Sequence, residues 1–332
     1  MIRVNAEDYT VTQETFDSIR AHWMDPRQSL KWNCLFVLPG WLKVWWDHFA
    51  GNQAVCLCAV RHGNKLIGIA PLMVQGKTAR FMGDPDLCDF VDVIAAPGSG
   101  AAIFENLIPF IKNQGITHLD TGVVRSDSIV FTDLAAVARK LDCECICEPA
   151  DVTMELELPT SWDDFLYQLT GKERHEIRRK LRRLKEAAHV NFRVVEKPDE
   201  VAGEMDTFLT LFKRNRRDKA EFMTDQHGSF FRALAAEMAA ARILKLFLLD
   251  LDSVPAAAVM CFDYHSTMYL YNNGYNMRHG SLSVGLLSKV FTIKESIQRG
   301  KIKYDFLKGA EAYKKQLGGK PVQLYRCRIQ IG

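Results

Sequence analysis

The sequence predicts an α/β protein of two similar units, each a mixed central sheet flanked by helices. Three observations point there. At 332 residues the chain has the length of about two domains. Each half runs through the same order of strand, turn, strand, strand, loop, helix, strand, helix and strand. Apolar β-branched and aromatic runs alternate with helical-period stretches throughout, the pattern of sheets covered by helices.

In the first half, Ala54 to Arg61 and Leu66 to Met73 read as strands around the hairpin signal His62-Gly63-Asn64-Lys65. Asp89 to Ala95 reads as a further strand, ending in the loop Ala96-Pro97-Gly98-Ser99-Gly100. A helix from Ala101 to Asn113, a buried strand from Ile116 to Val123, a helix from Ser128 to Leu141 and a strand from Cys143 follow. In the second half, Ile243 to Leu249 and Pro255 to Tyr264 flank the turn Asp250-Leu251-Asp252-Ser253, and Met268 to Tyr275 is the next strand. Then come the loop Asn276 to Ser283, the helix Val284 to Arg299, the strand Ile302 to Leu307, a short helix from Ala310 to Gln316 and a closing strand from Val322 to Ile329. The joint is placed between Glu148-Pro149 and Leu158-Pro159, giving domains 1–150 and 151–332.

Composition narrows the class. The formal charge of +3 rests on nearly balanced acids and bases, so any polyanion site must be local. No apolar run approaches the roughly 20 residues that cross a bilayer, and the octapeptide from Met1 to Asp8 lacks the apolar core of an export signal. A cytoplasmic protein with reduced thiols is the expectation for its nine cysteines. Cys56 and Cys58, and Cys143, Cys145 and Cys147, alternate as strand residues do and carry no CxxC or HExxH pattern; they read as small core side chains, and no metal is expected.

Three places carry candidate chemistry. Tyr304 to Lys314 joins a buried strand to a helix through Gly309 and gathers Asp305, Glu311, Tyr313 and Lys314 at one junction. The loop Arg278-His279-Gly280-Ser281-Leu282-Ser283 precedes a helix, whose N-terminal N–H groups suit a phosphate; Ser281 and Ser283 either cap that helix or donate to the anion, and Arg278 adds charge. Pro97 to Gly100 has a similar form without a nearby Arg or Lys and reads as a turn. From Lys172 to Glu186, eight Lys or Arg stand against three Glu, while Ile177, Leu181, Leu184 and Ala188 recur at helical spacing. The basic helix 172–188 thus packs one face and lines Arg174, Arg178 and Arg182 along the other, either a solvated face or a bed for phosphates. Arg214, Arg216, Arg217 and Lys219 form a smaller cluster flanking the same groove. Tyr269, Tyr271 and Tyr275 share a strand face that either lines an acceptor cleft or packs in the core.

Leu169 to Leu184, Pro255-Ala256-Ala257-Ala258, Tyr269 to Tyr275 and Asp305-Phe306-Leu307-Lys308-Gly309 with Glu311, Tyr313 and Lys314 together resemble the CelD-like and FemAB-like acetyltransferases of the GNAT superfamily. The first half resembles the family's companion domain through Gly68-Ile69-Ala70-Pro71-Leu72 and the loop at Pro97. The resemblance implies two tandem GNAT folds and an N-acyltransferase. Acetyl-CoA or another acyl-CoA would be the co-substrate. The acceptor would be an amine on a small molecule, an amino sugar, or a polysaccharide or cell-envelope precursor. Asp305, Glu311 and Tyr313 would then be catalytic, a carboxylate taking the ammonium proton and Tyr313 protonating the thiolate. Arg278, Gly280, Ser281 and Ser283 would hold the cofactor, and Arg174, Arg178, Arg182, Lys314 and Tyr271 the substrate. The pyrophosphate loop departs from the family pattern in having one glycine at altered spacing. Two rivals follow: a Fem-type enzyme taking an aminoacyl group from tRNA, and a non-catalytic protein whose basic helix binds a polyanion.

Overall fold

A computed structural model describes residues 2–3, 8–215 and 217–332. Met1, residues 4–7 and Arg216 lie outside the described residues, and with them most of the octapeptide read for an export signal. The fold is mixed α/β. The chain divides into two compact units, Met1–Asp151 with Val322–Gly332, and Val152–Pro321. The last strand, which the sequence places in the second domain, therefore contributes from Val322 onward to the first unit.

The first unit contains β1 (Ile2–Arg3), β2 (Tyr9–Glu14), α1 (Phe16–Met24), α2 (Pro39–Phe49), β3 (Ala54–His62), β4 (Lys65–Gln75), β5 (Thr78–Phe81), β6 (Ile94–Ala95), α3 (Gly100–Asn113), β7 (His118–Arg125) and α4 (Ile129–Lys140). Then β8 (Glu144–Glu157) runs as one strand through the expected joint. The second unit holds α5 (Trp162–Gln168), α6 (Gly171–Ala187), β9 (Val190–Val195), α7 (Pro198–Asn215), α8 (Arg217–Phe222), α9 (Asp225–Ala240), β10 (Leu244–Leu251), β11 (Val254–Tyr264), β12 (Thr267–Tyr275), α10 (Val284–Gln298), β13 (Lys303–Lys308) and α11 (Ala312–Gln316), before β14 (Lys320–Gln330). Strand order is β1-β2-β3-β4-β5-β7-β14 in the first unit, with β6 on β4, and β8-β13-β12-β11-β10-β9 in the second.

Two expectations are corrected. Asp89 to Ala95 is a strand only at Ile94–Ala95, because Asp84 turns the preceding chain, its carbonyl accepting from the N–H groups of Leu87 and Cys88. The thiols are not all reduced: Cys147 on β8 and Cys327 on β14 form a disulfide across 180 residues of sequence. Cys56 and Cys58 are buried small side chains.

The parallel pairs place the functional openings. In the second unit β12 and β13 pair only at Thr267–Lys303, Met268–Tyr304 and Tyr269–Asp305. Beyond these the two strands part. On the other side β12 stays with β11 to Tyr275, with an irregularity between Met260 and Cys261 that leaves Tyr271 as an extra residue in β12. In the first unit β5 and β7 also pair over three residues, ending at Arg80–Asp120. There, however, the chain leaves the sheet between β5 and β6, and Val91 N–H of that excursion donates to the Val123 carbonyl at 2.8 Å. Leu87, Cys88, Phe90 and Val91 of the excursion are buried.

Helix α7 lies close on β12 at Gly274, where a Cβ would stand 2.3 Å from the Phe212 backbone nitrogen. Backbone cannot move aside as a flexible side chain can. Gly274→Ala is therefore expected to destabilise the protein by about 2–4 kcal/mol, the range for severe overpacking, read as a lower urea midpoint at unchanged slope.

Candidate functional site

Where β12 and β13 part, a cavity of about 450 Å³ opens, lined by Lys180 of α6, Asn215 of α7, Lys219 of α8, Asn273 and Tyr275 of β12, Gly280 and Ser283 of the following loop, Gly285, Leu286 and Lys289 of α10, and Glu311 and Tyr313 at α11. The loop Met277–Leu282 is a 3₁₀ turn entered through Asn276, whose side chain accepts from the Arg278 N–H. Ser283 then starts α10 with φ of 58°, left-handed, and without a side-chain capping bond. The carbonyl of Ser283 accepts from Leu286 and Leu287, so the N–H groups of Val284 and Gly285 have no intrahelical acceptor. Gly285 is required because a Cβ there would meet the Tyr275 ring at 2.6 Å. Around Gly280 nothing lies within 4 Å of a would-be Cβ, leaving its backbone open to a ligand.

The junction after β13 is built on two buried charged residues. Asp305 accepts from the Thr153 hydroxyl and from the Leu307 N–H, both at 2.8 Å. These bonds hold Leu307 at φ of 61° and the irregularity between Asp305 and Lys308 in the pairing with β8. Lys314 is buried, and its Nζ donates to the carbonyls of Leu307 (3.0 Å), Lys308 (2.6 Å) and Gly309 (3.1 Å). It also pairs with Glu311 at 2.9 Å. Asp305 and Lys314 shape the strand end and do not line the cavity. The donors of Lys314, expected at the substrate, are engaged by these carbonyls and Glu311.

Tyr313 reaches the cavity from α11, with its ring edge toward Phe306. Burial, with Glu311 nearby, pushes its phenol well above the ordinary range, so it stays protonated at neutral pH. Glu311 lines the cavity with its side chain 55% exposed. Lys289 is buried, with its ammonium 4.9 Å from the Tyr313 ring centroid. Burial, reinforced by Lys219, lowers its pKa to about 7. Lys219 donates to the Asn273 carbonyl at 2.5 Å, and Asn215 has a buried side-chain oxygen with no hydrogen-bond partner. Lys180 and Lys219, joined by Lys289 when it is protonated, against one carboxylate make the cavity suited to anions.

Of the expected residues, Gly280, Ser283, Glu311 and Tyr313 meet at this cavity. Arg278 and Ser281 are exposed on the loop and are not part of the lining. Tyr271 packs between Phe231 and Phe262. On α6, Arg174 lies over the Tyr167 ring at 5.3 Å, Arg182 faces Glu186 at 3.7 Å and Arg178 is exposed; the cavity receives Lys180 instead. Helix geometry explains the exchange, because Lys180 shares the stripe of the buried Ile177 and Leu184 and stands across the helix from Arg178. Of the smaller basic cluster Lys219 alone lines the cavity among the described residues, while Arg217 pairs with Glu221.

The equivalent loop of the first unit is closed to phosphate. Ser99 bonds the carbonyls of Ile67 and Ala96. A Cβ on Gly100, at the start of α3, would lie 2.0 Å from the Asp133 carboxylate, which repels an anion there.

Residues 171–315 match the profile of the acetyltransferase (GNAT) domain. No curated protein matches the chain. Among solved structures, FemX is 11% identical and aligns over 96% of each chain with a TM-score of 0.65. The C-terminal domain of a putative lysylphosphatidylglycerol synthetase from Agrobacterium fabrum is 12% identical, over 88% of this chain and 92% of that one, at 0.60. A tandem GNAT protein from the clavulanic acid biosynthesis pathway is 14% identical, over 98% and 99%, at 0.50. At these identities the likeness is one of fold. Residues 171–315 thus form an acetyltransferase (GNAT) domain, set on a sheet that opens as described, and the chain as a whole has the fold of FemX and of the tandem GNAT protein.

Proposed function

We propose that the protein transfers an acyl group, acetyl in the simplest case, from acyl-CoA to an amine on an amino sugar or a polysaccharide or cell-envelope precursor. The observation that carries this reading is the cavity at the parting of β12 and β13, with the start of α10 at one side and Tyr313 at another. The donor's anionic end suits the N–H groups of Val284 and Gly285, the open backbone at Gly280 and the lysines Lys180 and Lys219. Bound, the thioester supplies an activated carbonyl. The chain's own part is to hold the amine against it, exclude water and supply a proton from Tyr313 to the departing sulfur. The second unit is the donor site in this reading, since in the first unit Val91 bonds where the sheet opens and Asp133 stands at the loop.

Titration with acetyl-CoA is expected to raise the unfolding midpoint progressively, as binding to the native state alone requires, by about 2.7 kcal/mol in stability at a hundredfold excess over Kd. The second reading takes the aminoacyl group of a charged tRNA as donor. It is favoured by the exposed Arg178 on α6 and by the outward position of Arg278 in a loop with one glycine. One solved structure of similar fold is named as a domain of a putative lysylphosphatidylglycerol synthetase, which accords with it. Stabilisation by tRNA with none from acetyl-CoA would establish the second reading in place of the first. Tight salt-dependent polyanion binding with no turnover of any amine would replace both by a binding protein.

A further inference from the structure

We propose that Lys289 takes the proton from the incoming amine. This rests on the acyl-transfer reading, though not on which donor is used. Among the cavity's basic and acidic groups, Lys289 is fixed at a single point from two sides. Its Nζ donates to Asn273 Oδ1 at 3.0 Å and to the Gly285 carbonyl at 2.7 Å, within one turn of α10. A neutral amine has two N–H groups and one lone pair. With both N–H groups engaged by these acceptors, the lone pair is left for a third direction.

The other candidates are committed elsewhere. Asp305 is bonded to Thr153 and Leu307 and is absent from the cavity wall. Glu311 is half exposed and paired with Lys314, which leaves it near its ordinary hydration and holds its charge in an ion pair. Lys219 and Lys180 are less buried, and Lys180 stands 3.4 Å from Glu176.

The charged and titratable groups around Lys289 come from α8, from β11 and from α11 with its N-cap Glu311. Burial, Lys219 of α8 and Lys314 of α11 disfavour its cation, while Cys261 of β11 and Glu311 favour it; burial with the two lysines prevails, placing its pKa at about 7. A lysine so placed is substantially unprotonated at neutral pH, which an exposed lysine is not. The proton balance then closes. The substrate ammonium gives one proton to Lys289, and the freed nitrogen attacks the acyl carbon. As the carbon–sulfur bond breaks, the nitrogen loses its second proton and the sulfur gains one from Tyr313, whose phenol recovers that second proton. Lys289 returns its own proton to solvent, so each turnover releases one.

Two measurements need no known acceptor. In competitive acetic anhydride labelling across pH 5–11, Lys289 is expected to reach half its limiting reactivity near pH 7, about three pH units below a lysine in a model peptide. The second compares urea midpoints of the wild type and Lys289→Met. Because the folded pKa lies below the unfolded one, the unfolded chain binds more protons between them, and the wild-type midpoint should rise from pH 6.5 to 8.5 relative to the variant. A third measurement is thiol release from acetyl-CoA with an amine panel, or aminoacyl release from tRNA if that is the stabilising donor. There the rising limb of kcat/KM near pH 7 should disappear in Lys289→Gln, with kcat/KM at pH 8 falling at least a hundredfold. Labelling of Lys289 only above about pH 9.5 overturns the proposal whichever donor is correct. An unchanged limb in Lys289→Gln also overturns it, as does stable acetylation of Lys289 by acetyl-CoA alone, which would make it an acceptor. Failure of both donors to stabilise the protein would instead reject the acyl-transfer reading while leaving the labelling result standing.

Discussion

Tyr313→Phe is expected to lower kcat by about 10²- to 10⁴-fold, the range in which a positioned general acid contributes, with the urea midpoint near that of the wild type. The ring is retained, so its edge contact with Phe306 at 6.4 Å and its position beneath the Lys289 ammonium are both kept. Only the proton is removed. Burial keeps the phenol protonated through the neutral range, and a thiolate leaving without a donor departs as a charged group into a partly closed cavity. Steady-state assay with saturating donor, beside circular dichroism of the variant, checks this. A wild-type rate in Tyr313→Phe would remove the proton-donor role from Tyr313.

Lys314→Met should cost about 3–5 kcal/mol in stability, the range for removing one partner from a buried charged network. A methionine fills similar space but cannot donate. The carbonyls of Leu307, Lys308 and Gly309, which accept from Nζ at 2.6–3.1 Å, would lose that donor together, and Glu311 would lose its cation. Chemical denaturation measures the loss directly. A change below about 1 kcal/mol would show that water satisfies those carbonyls and that the strand end does not depend on the lysine. Turnover in the folded fraction should fall as well, since Tyr313 is the preceding residue in α11.

The order of elements in the second unit was legible from periodicity, because β11, β12, α10 and β13 carry long and consistent patterns. Tyr313 and Glu311 were found for the same reason: they follow a strand, a glycine turn and a helix start, a sequence of events visible in the residues. Lys289 was not found. A lysine within an amphipathic helix reads as a surface position, and only the packed structure reveals that Lys289 is enclosed. Lys180 left a faint signal, lying on the stripe of Ile177 and Leu184 and opposite the surplus of arginines. Burial also separates expectation from outcome at Asp305 and Lys314. Their residue types suit catalysis, and their bonding directs them to backbone geometry. The excursion before β6 was misread because acidic and apolar residues alternate in it as they would in a strand, while its turn depends on one aspartate. The bond between Cys147 and Cys327 joins positions too distant in sequence for any local pattern to connect.

The placement of residues 322–332 in the first unit has a consequence for biogenesis. During synthesis the amino-terminal lobe emerges early, yet its position beside β7 stays unfilled until residues 322–330 have left the ribosome. For that interval the β7 flank is an open edge available to foreign strands, so the order of translation, rather than the stability of the finished protein, sets when this molecule is most exposed to misassembly.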